Sequence, residues 1–193
     1  MVDQVANSWA ARFLELGAAD DQPITNMKLQ KLVTLAESAS MFTRGVAAFV
    51  EPVQAWEHGP VVQPVYARYK PYQSAKITAI DRAGTTVLAD EDELIAEEVW
   101  GVVGHLSAGA LRTLTHDVGP WPIRWRADTW GTVLPAEELG AAWPEYIARA
   151  SRLTQRRDPV ETPLIAPARL SDEQLAQAAT MFRSGRPPAR AGG

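Results

Sequence analysis

The chain has no cysteine, which excludes disulfides, thiolate metal sites and cysteine nucleophiles. Histidine is scarce. His58, His105 and His116 lie too far apart for any spaced ligand motif, so neither a metal ion nor another cofactor is expected. The glycine clusters that cradle phosphates are missing, and so is the G-x-S-x-G turn of a serine nucleophile. No apolar run approaches the roughly 18 residues needed to cross a bilayer. The opening MVDQVANSWAARFLELGAADD carries Asp3 early and lacks a basic start, so no secretory signal is expected. A soluble protein of the cytoplasm, without membrane contact, is the resulting expectation. A surplus of positive charge is also missing: the net charge is −4. Phosphate backbones demand a concentrated positive face, so nucleic acid is disfavoured as the main partner.

What is present belongs to an ordinary globular domain, with 46% hydrophobic and 22% charged residues in 193. Residues 3–17 carry an apolar stripe of helical period, with Gly17 placed to cap it. The clearest helix runs over 25–44. Thr25 is its N-cap, the apolar set Leu29, Leu32, Val33, Ala36, Ala39 and Phe42 recurs at three and four, and Gly45 stops it. Lys28, Lys31 and Glu37 are assigned to its other faces. This helix is expected to run through the middle of the core.

Residues 48–57 alternate weakly, and Pro52 argues against a central strand. Gly59-Pro60 marks a turn, with Pro60 suited to the first position of a helix carrying Val61, Val65, Tyr66 and Tyr69. Two β-like runs, 75–80 and 85–89, flank a four-residue connection containing Gly84 and predict a hairpin. Residues 91–106 predict a helix with Leu94, Val99, Val102, Val103 and Leu106 on one face, and Ser107 caps a shorter one. Residues 115–131 hold three of the seven tryptophans among helix-breaking prolines. Residues 135–152 return to helix, kinked at Pro144. A Pro-rich linker follows over 153–169. A helix opened by the capping box of Ser171 and Gln174 covers 170–185, and a disordered tail closes the chain over 186–193. The fold class is therefore mainly α: one helical domain over 1–152 with a small β-hairpin or short antiparallel sheet, and a C-terminal helix beyond the linker.

No catalytic set assembles from sequence. Glu57-His58 and His116-Asp117 place carboxylates beside imidazoles, but side chains adjacent in sequence seldom share the geometry of a triad. A hydrolase using His58 or His116 is therefore the weaker alternative to a non-enzymatic protein. Tryptophan and arginine dominate protein–protein hot spots, and Arg124, Trp125 and Trp130, together with Leu175 and Phe182 on the last helix, are the candidate partner-binding residues.

Three stretches carry a family resemblance. They are TNMKLQKLVTLAESASMF, VEPVQAWEHGPVVQPVYARYK and LRTLTHDVGPW, in that order. Together they resemble the SocA-like or Panacea antitoxin domain, which also occurs in phage-associated proteins. The matching positions are Met27, Lys28, Leu29, Gln30, Lys31 and Leu32, then Ala55, Trp56, Gly59, Pro60, Val61 and Tyr66, then Thr115, His116, Pro120 and Trp121. Val33-Thr34 stands where the family usually has an aromatic, and Glu57-His58 where it often has Lys-Tyr. The resemblance implies an antitoxin of a type II-like pair, without enzyme activity, that neutralises a cognate toxin by direct binding. The alternative it implies is an adaptor delivering that toxin to a ClpX-type protease. The partners would be the toxin and, for the adaptor, a protease, with a homo-oligomer also compatible. The shared residues read as mainly structural, with Trp56 plugging the core and Gly59-Pro60 directing the chain into the next helix.

Overall fold

The longest predicted helix is the one on which the others are built. In the computed structural model, which describes residues 5–129 and 131–155, that helix is α2 (Asn26–Arg44). It starts as expected, with the Thr25 side chain accepting from the Lys28 N–H, and ends on Gly45 in the left-handed conformation. Against it pack α1 (Val5–Ala19), α4 (Asp90–Val103), α5 (Ala108–Asp117) and α7 (Ala136–Ala141). The remaining helices are α3 (Gln63–Tyr69), α6 (Trp121–Arg124) and α8 (Trp143–Gln155). The strands β1 (Val53–Trp56), β2 (Gly59–Val62) and β3 (Thr132–Val133) form one antiparallel sheet in the order β2-β1-β3. The architecture is mainly α with a small antiparallel sheet.

Every residue from Lys28 to Ser40 is buried, charged ones included. Lys28, Lys31 and Glu37 therefore lie inside the protein instead of on a solvated face. Phe42, expected in the core, is 55% exposed because it lies in the last turn of α2. Glu37 is held by the Ala48 N–H at 2.7 Å. Burial pushes its carboxyl up to about 7, against the opposing pull of backbone bonds from Ala48 and Phe49. Trp9 and Phe13 of α1, and Trp143 and Tyr146 of α8, join α2 in one core. The Trp9 indole donates to the Ala48 carbonyl at 3.1 Å and the Tyr146 hydroxyl to that of Val118 at 3.0 Å, so the buried polar tips are satisfied.

Several local expectations give way to tertiary packing. Gly17 is not a cap: α1 continues to Ala19, and a Cβ at Gly17 would lie 2.6 Å from Ile24 Cδ1. The piece after Pro52 is the central strand, since β1 pairs with both β2 and β3. Pro60 begins no helix. It lies in β2, an edge strand that pairs with β1 alone among the described residues, where a missing N–H is tolerated. Pro64 instead occupies the first turn of α3.

The hairpin expected over 75–89 does not form, and the hairpin of this fold is β1–β2. The 75–89 backbone is engaged elsewhere: Ile77 donates to the Ile24 carbonyl, Thr86 to the Ser8 hydroxyl, and the Asp81 and Ala83 carbonyls accept from Arg68. Leu94 is 67% exposed, and the buried face of α4 is Ile95, Ala96, Val99, Trp100 and Val103. The Pro144 kink is a break, with α7 ending at Ala141 and α8 starting at Trp143. Helix α8 reaches Gln155, into the stretch expected as linker. The rest of that linker, the helix over 170–185 and the tail lie outside the described residues. No helix among the described residues is long and apolar enough to cross a membrane.

Candidate functional site

The three motif stretches converge on one junction. Helix α2 presents Gln30 and Lys31 to the outer edge of β2. Gln30 Oε1 accepts the Val62 N–H at 2.9 Å, and Lys31 Nζ donates to the Pro60 carbonyl at 2.8 Å. Two side chains thus occupy backbone positions that a further strand would otherwise take. Gln30 Nε2 donates to Asn26 Oδ1 at 3.2 Å, and Asn26 Nδ2 donates to the Tyr66 carbonyl at 3.2 Å, which ties α2 to α3. Gln30 is one of the shared positions of the first motif, and these bonds make it part of the junction. Its signal in the sequence was its position beside Lys31.

Gly59 is the closest approach in this junction. Its φ of +102° disfavours any side chain, and a Cβ there would lie 2.6 Å from Lys31 Nζ and 3.1 Å from His116 Nε2. The glycine thus lets a lysine from the first motif and a histidine from the third approach the same turn. The His116 ring stacks on Trp121 at 3.7 Å, Trp121 stacks on Trp125 at 5.3 Å, and the Trp121 indole donates to the Trp56 carbonyl at 2.9 Å. Pro120 is buried next to that stack.

The electrostatics follow from this packing. Burial, with Arg112 adding repulsion, brings the Lys31 ammonium down to about 7. Burial first, then Arg112, also lowers His116, opposed by its backbone hydrogen bond with His58. His116 Nε2 is buried and has no hydrogen-bond partner among the described residues. The neighbouring carboxylate does not orient the ring: Asp117 Oδ2 faces Arg149 at 3.5 Å. His58 and Glu57 are exposed in the β1–β2 turn. No group of three or more His, Asp or Glu side chains among the described residues could hold a metal ion.

The other expected positions divide by environment. Leu29, Leu32 and Val61 are core residues. Lys28 donates to the Gly104 carbonyl at 2.6 Å and lies over the Trp100 ring. Trp56 does not plug the core. It is half-buried, meets Tyr66 edge-on at 5.0 Å, and donates to Gln54 Oε1 at 3.0 Å. Arg124 is tied to Glu138, and Trp125 is half-buried at the end of the aromatic stack. Trp130, Leu175 and Phe182 lie outside the described residues.

Above the junction opens a cleft of about 520 Å³, walled by Met27, Trp56, Val61 and Tyr66, with Glu57 and Lys70 exposed on its rim. Its size is that of an ordinary ligand or side-chain pocket, and its exposed surface is mainly apolar, although Asn26, Gln30, Lys31, His58 and Gln73 also line it.

A helical domain whose shared motifs build a hydrogen-bonded junction beside an apolar cleft defines a scaffold with a concave surface. Residues 29–122 match the family model described as Antitoxin SocA-like, Panacea domain. The matched stretch is the one that holds the three motifs, and it is similar to that domain. No curated protein and no solved structure matches the chain.

Proposed function

We propose that this protein is the antitoxin of a type II-like pair and neutralises a cognate toxin by binding it directly, without catalysis. The match of residues 29–122 to the antitoxin family carries this reading. The geometry supports it through the roles of the shared residues. Gln30 and Lys31 bond strand β2, Gly59 admits Lys31 and His116, and Trp121 bonds Trp56. These are the roles of a scaffold, and a scaffold leaves recognition to surfaces around it. Within this reading the folded unit extends beyond the family match on both sides, because α1, α7 and α8 contribute Trp9, Leu139 and Trp143 to the same core.

The test is co-expression with the adjacent reading frame. The neighbouring product alone should arrest growth, growth should return when this protein is supplied, and the two should co-purify. No toxicity of the neighbour, or toxicity without rescue, would refute the proposal. The toxin's half-life in the rescued cells separates sequestration, which leaves it unchanged, from delivery to a protease, which shortens it.

A further inference from the structure

The geometry points to the cleft between α2, the β1–β2 turn and α3 as the docking site for an apolar side chain flanked by a carboxylate, presented by the partner protein. This rests on the antitoxin reading above and adds where the partner is held and by what chemistry.

The first observation is where the central helix opens. From Asn26 to Ser40, α2 is buried at every residue except Met27, which is 37% exposed and lies in the cleft wall. The opening is therefore confined to one turn. An unbranched thioether there suits a surface that must fit a side chain from another molecule. Trp56 and Tyr66, packed edge to face, supply the rest of the wall. Aromatic pairs of this kind, in a concave and partly desolvated setting, are typical anchors of protein interfaces.

The second observation is charge. The cleft is bordered by two amines, Lys70 on its rim and Lys31 beneath, against one carboxylate, Glu57. Lys70 is exposed and makes no ion pair among the described residues. Lys31, only partly protonated at neutral pH, has the Pro60 carbonyl as its hydrogen-bond partner and the Arg112 cation as its charged neighbour. On a protein of net charge −4, this is a local positive surplus at the mouth of an apolar cleft. A carboxylate next to the inserted side chain complements it.

The experiment uses the full chain and the adjacent-frame product, with affinity measured by calorimetry. Met27→Glu puts a charge in the apolar wall, at a helix N-terminus that tolerates acids, and Lys70→Glu reverses the rim. Val87→Glu, at a position 90% exposed and outside the cleft lining, is the control. Each cleft variant should weaken binding at least tenfold with unchanged melting temperature, and Val87→Glu should leave it unchanged. Cleft variants binding within twofold of wild type would overturn the docking site while leaving the antitoxin reading intact. Failure of the wild type itself to bind would overturn both. A wild-type dimer that dissociates in the cleft variants would assign the cleft to a second copy and also overturn the proposal.

Discussion

Replacing Gly59 by alanine tests the junction most directly. The backbone there has φ +102°, and the new methyl would lie 2.6 Å from Lys31 Nζ, 3.0 Å from Lys31 Cε and 3.1 Å from His116 Nε2. The backbone strain alone is worth about 1–3 kcal/mol. The lysine is fully buried and cannot swing into solvent, so it must leave the Pro60 carbonyl it holds at 2.8 Å. A buried acceptor without its donor adds about 1–3 kcal/mol.

The sum is roughly 2–6 kcal/mol, which for a chain of this size lowers the melting temperature by roughly 4–24 °C. Thermal and urea unfolding followed by circular dichroism would measure it, with Gly101→Ala as the control. Gly101 lies in α4 with no neighbouring atom within 4 Å of an added Cβ. Alanine there should stabilise by about 0.5–1 kcal/mol. Combining Gly59→Ala with Lys31→Met should cost less than the sum of the two single changes, because methionine lacks the ammonium that the methyl strikes. A Gly59→Ala protein within 1 kcal/mol of wild type, or strictly additive costs, would refute the view that Lys31 and His116 are pinned against this glycine.

Two further outcomes follow from the same hydrogen bonds. Gln30→Leu leaves the Val62 N–H without its acceptor. It should cost about 1–3 kcal/mol and speed amide exchange at Val62, and unchanged exchange would show that another group satisfies it. The Lys31 ammonium is held near 7 in the fold, against 10.5 for the free group. Between those values the unfolded chain carries the extra proton, so stability should rise with pH from about 7 to about 10 by a few kcal/mol at most. Lys31→Met should lose that rise, and parallel pH profiles for the two proteins would contradict the burial of this amine.

Which parts of this were readable in advance depends on the range of the interactions involved. Helix α2 was readable because its cap, its apolar period and its terminating Gly45 are local. Ser107 acted as expected for the same reason, accepting from the Ala110 N–H. The burial of Lys28, Lys31 and Glu37 was not readable. Periodicity shows which face is apolar, but it cannot show that the polar faces are covered by β2, α4 and the 45–49 loop. The hairpin went to the wrong place for a related reason. A glycine-containing connection permits a turn over 75–89, yet Ile24, Ser8 and Arg68 hold that backbone, while the weaker pattern at 53–62 acquired partners on both sides of β1. Trp56 looked like a core plug because large aromatics usually are. Its exposure depends on α3, whose Tyr66 it meets across an open cleft.

The sequence by itself determined the mainly helical class, the caps of α2 and α5, and the family that residues 29–122 resemble, since each rests on residues close along the chain or on their order. Only the tertiary structure decided that Gln30, Lys31, Gly59, His116 and Trp121 meet at one point. Their contacts span dozens of residues, and the packed apolar core around them offsets the cost of desolvating a buried amine and a strand edge. No local pattern encodes that.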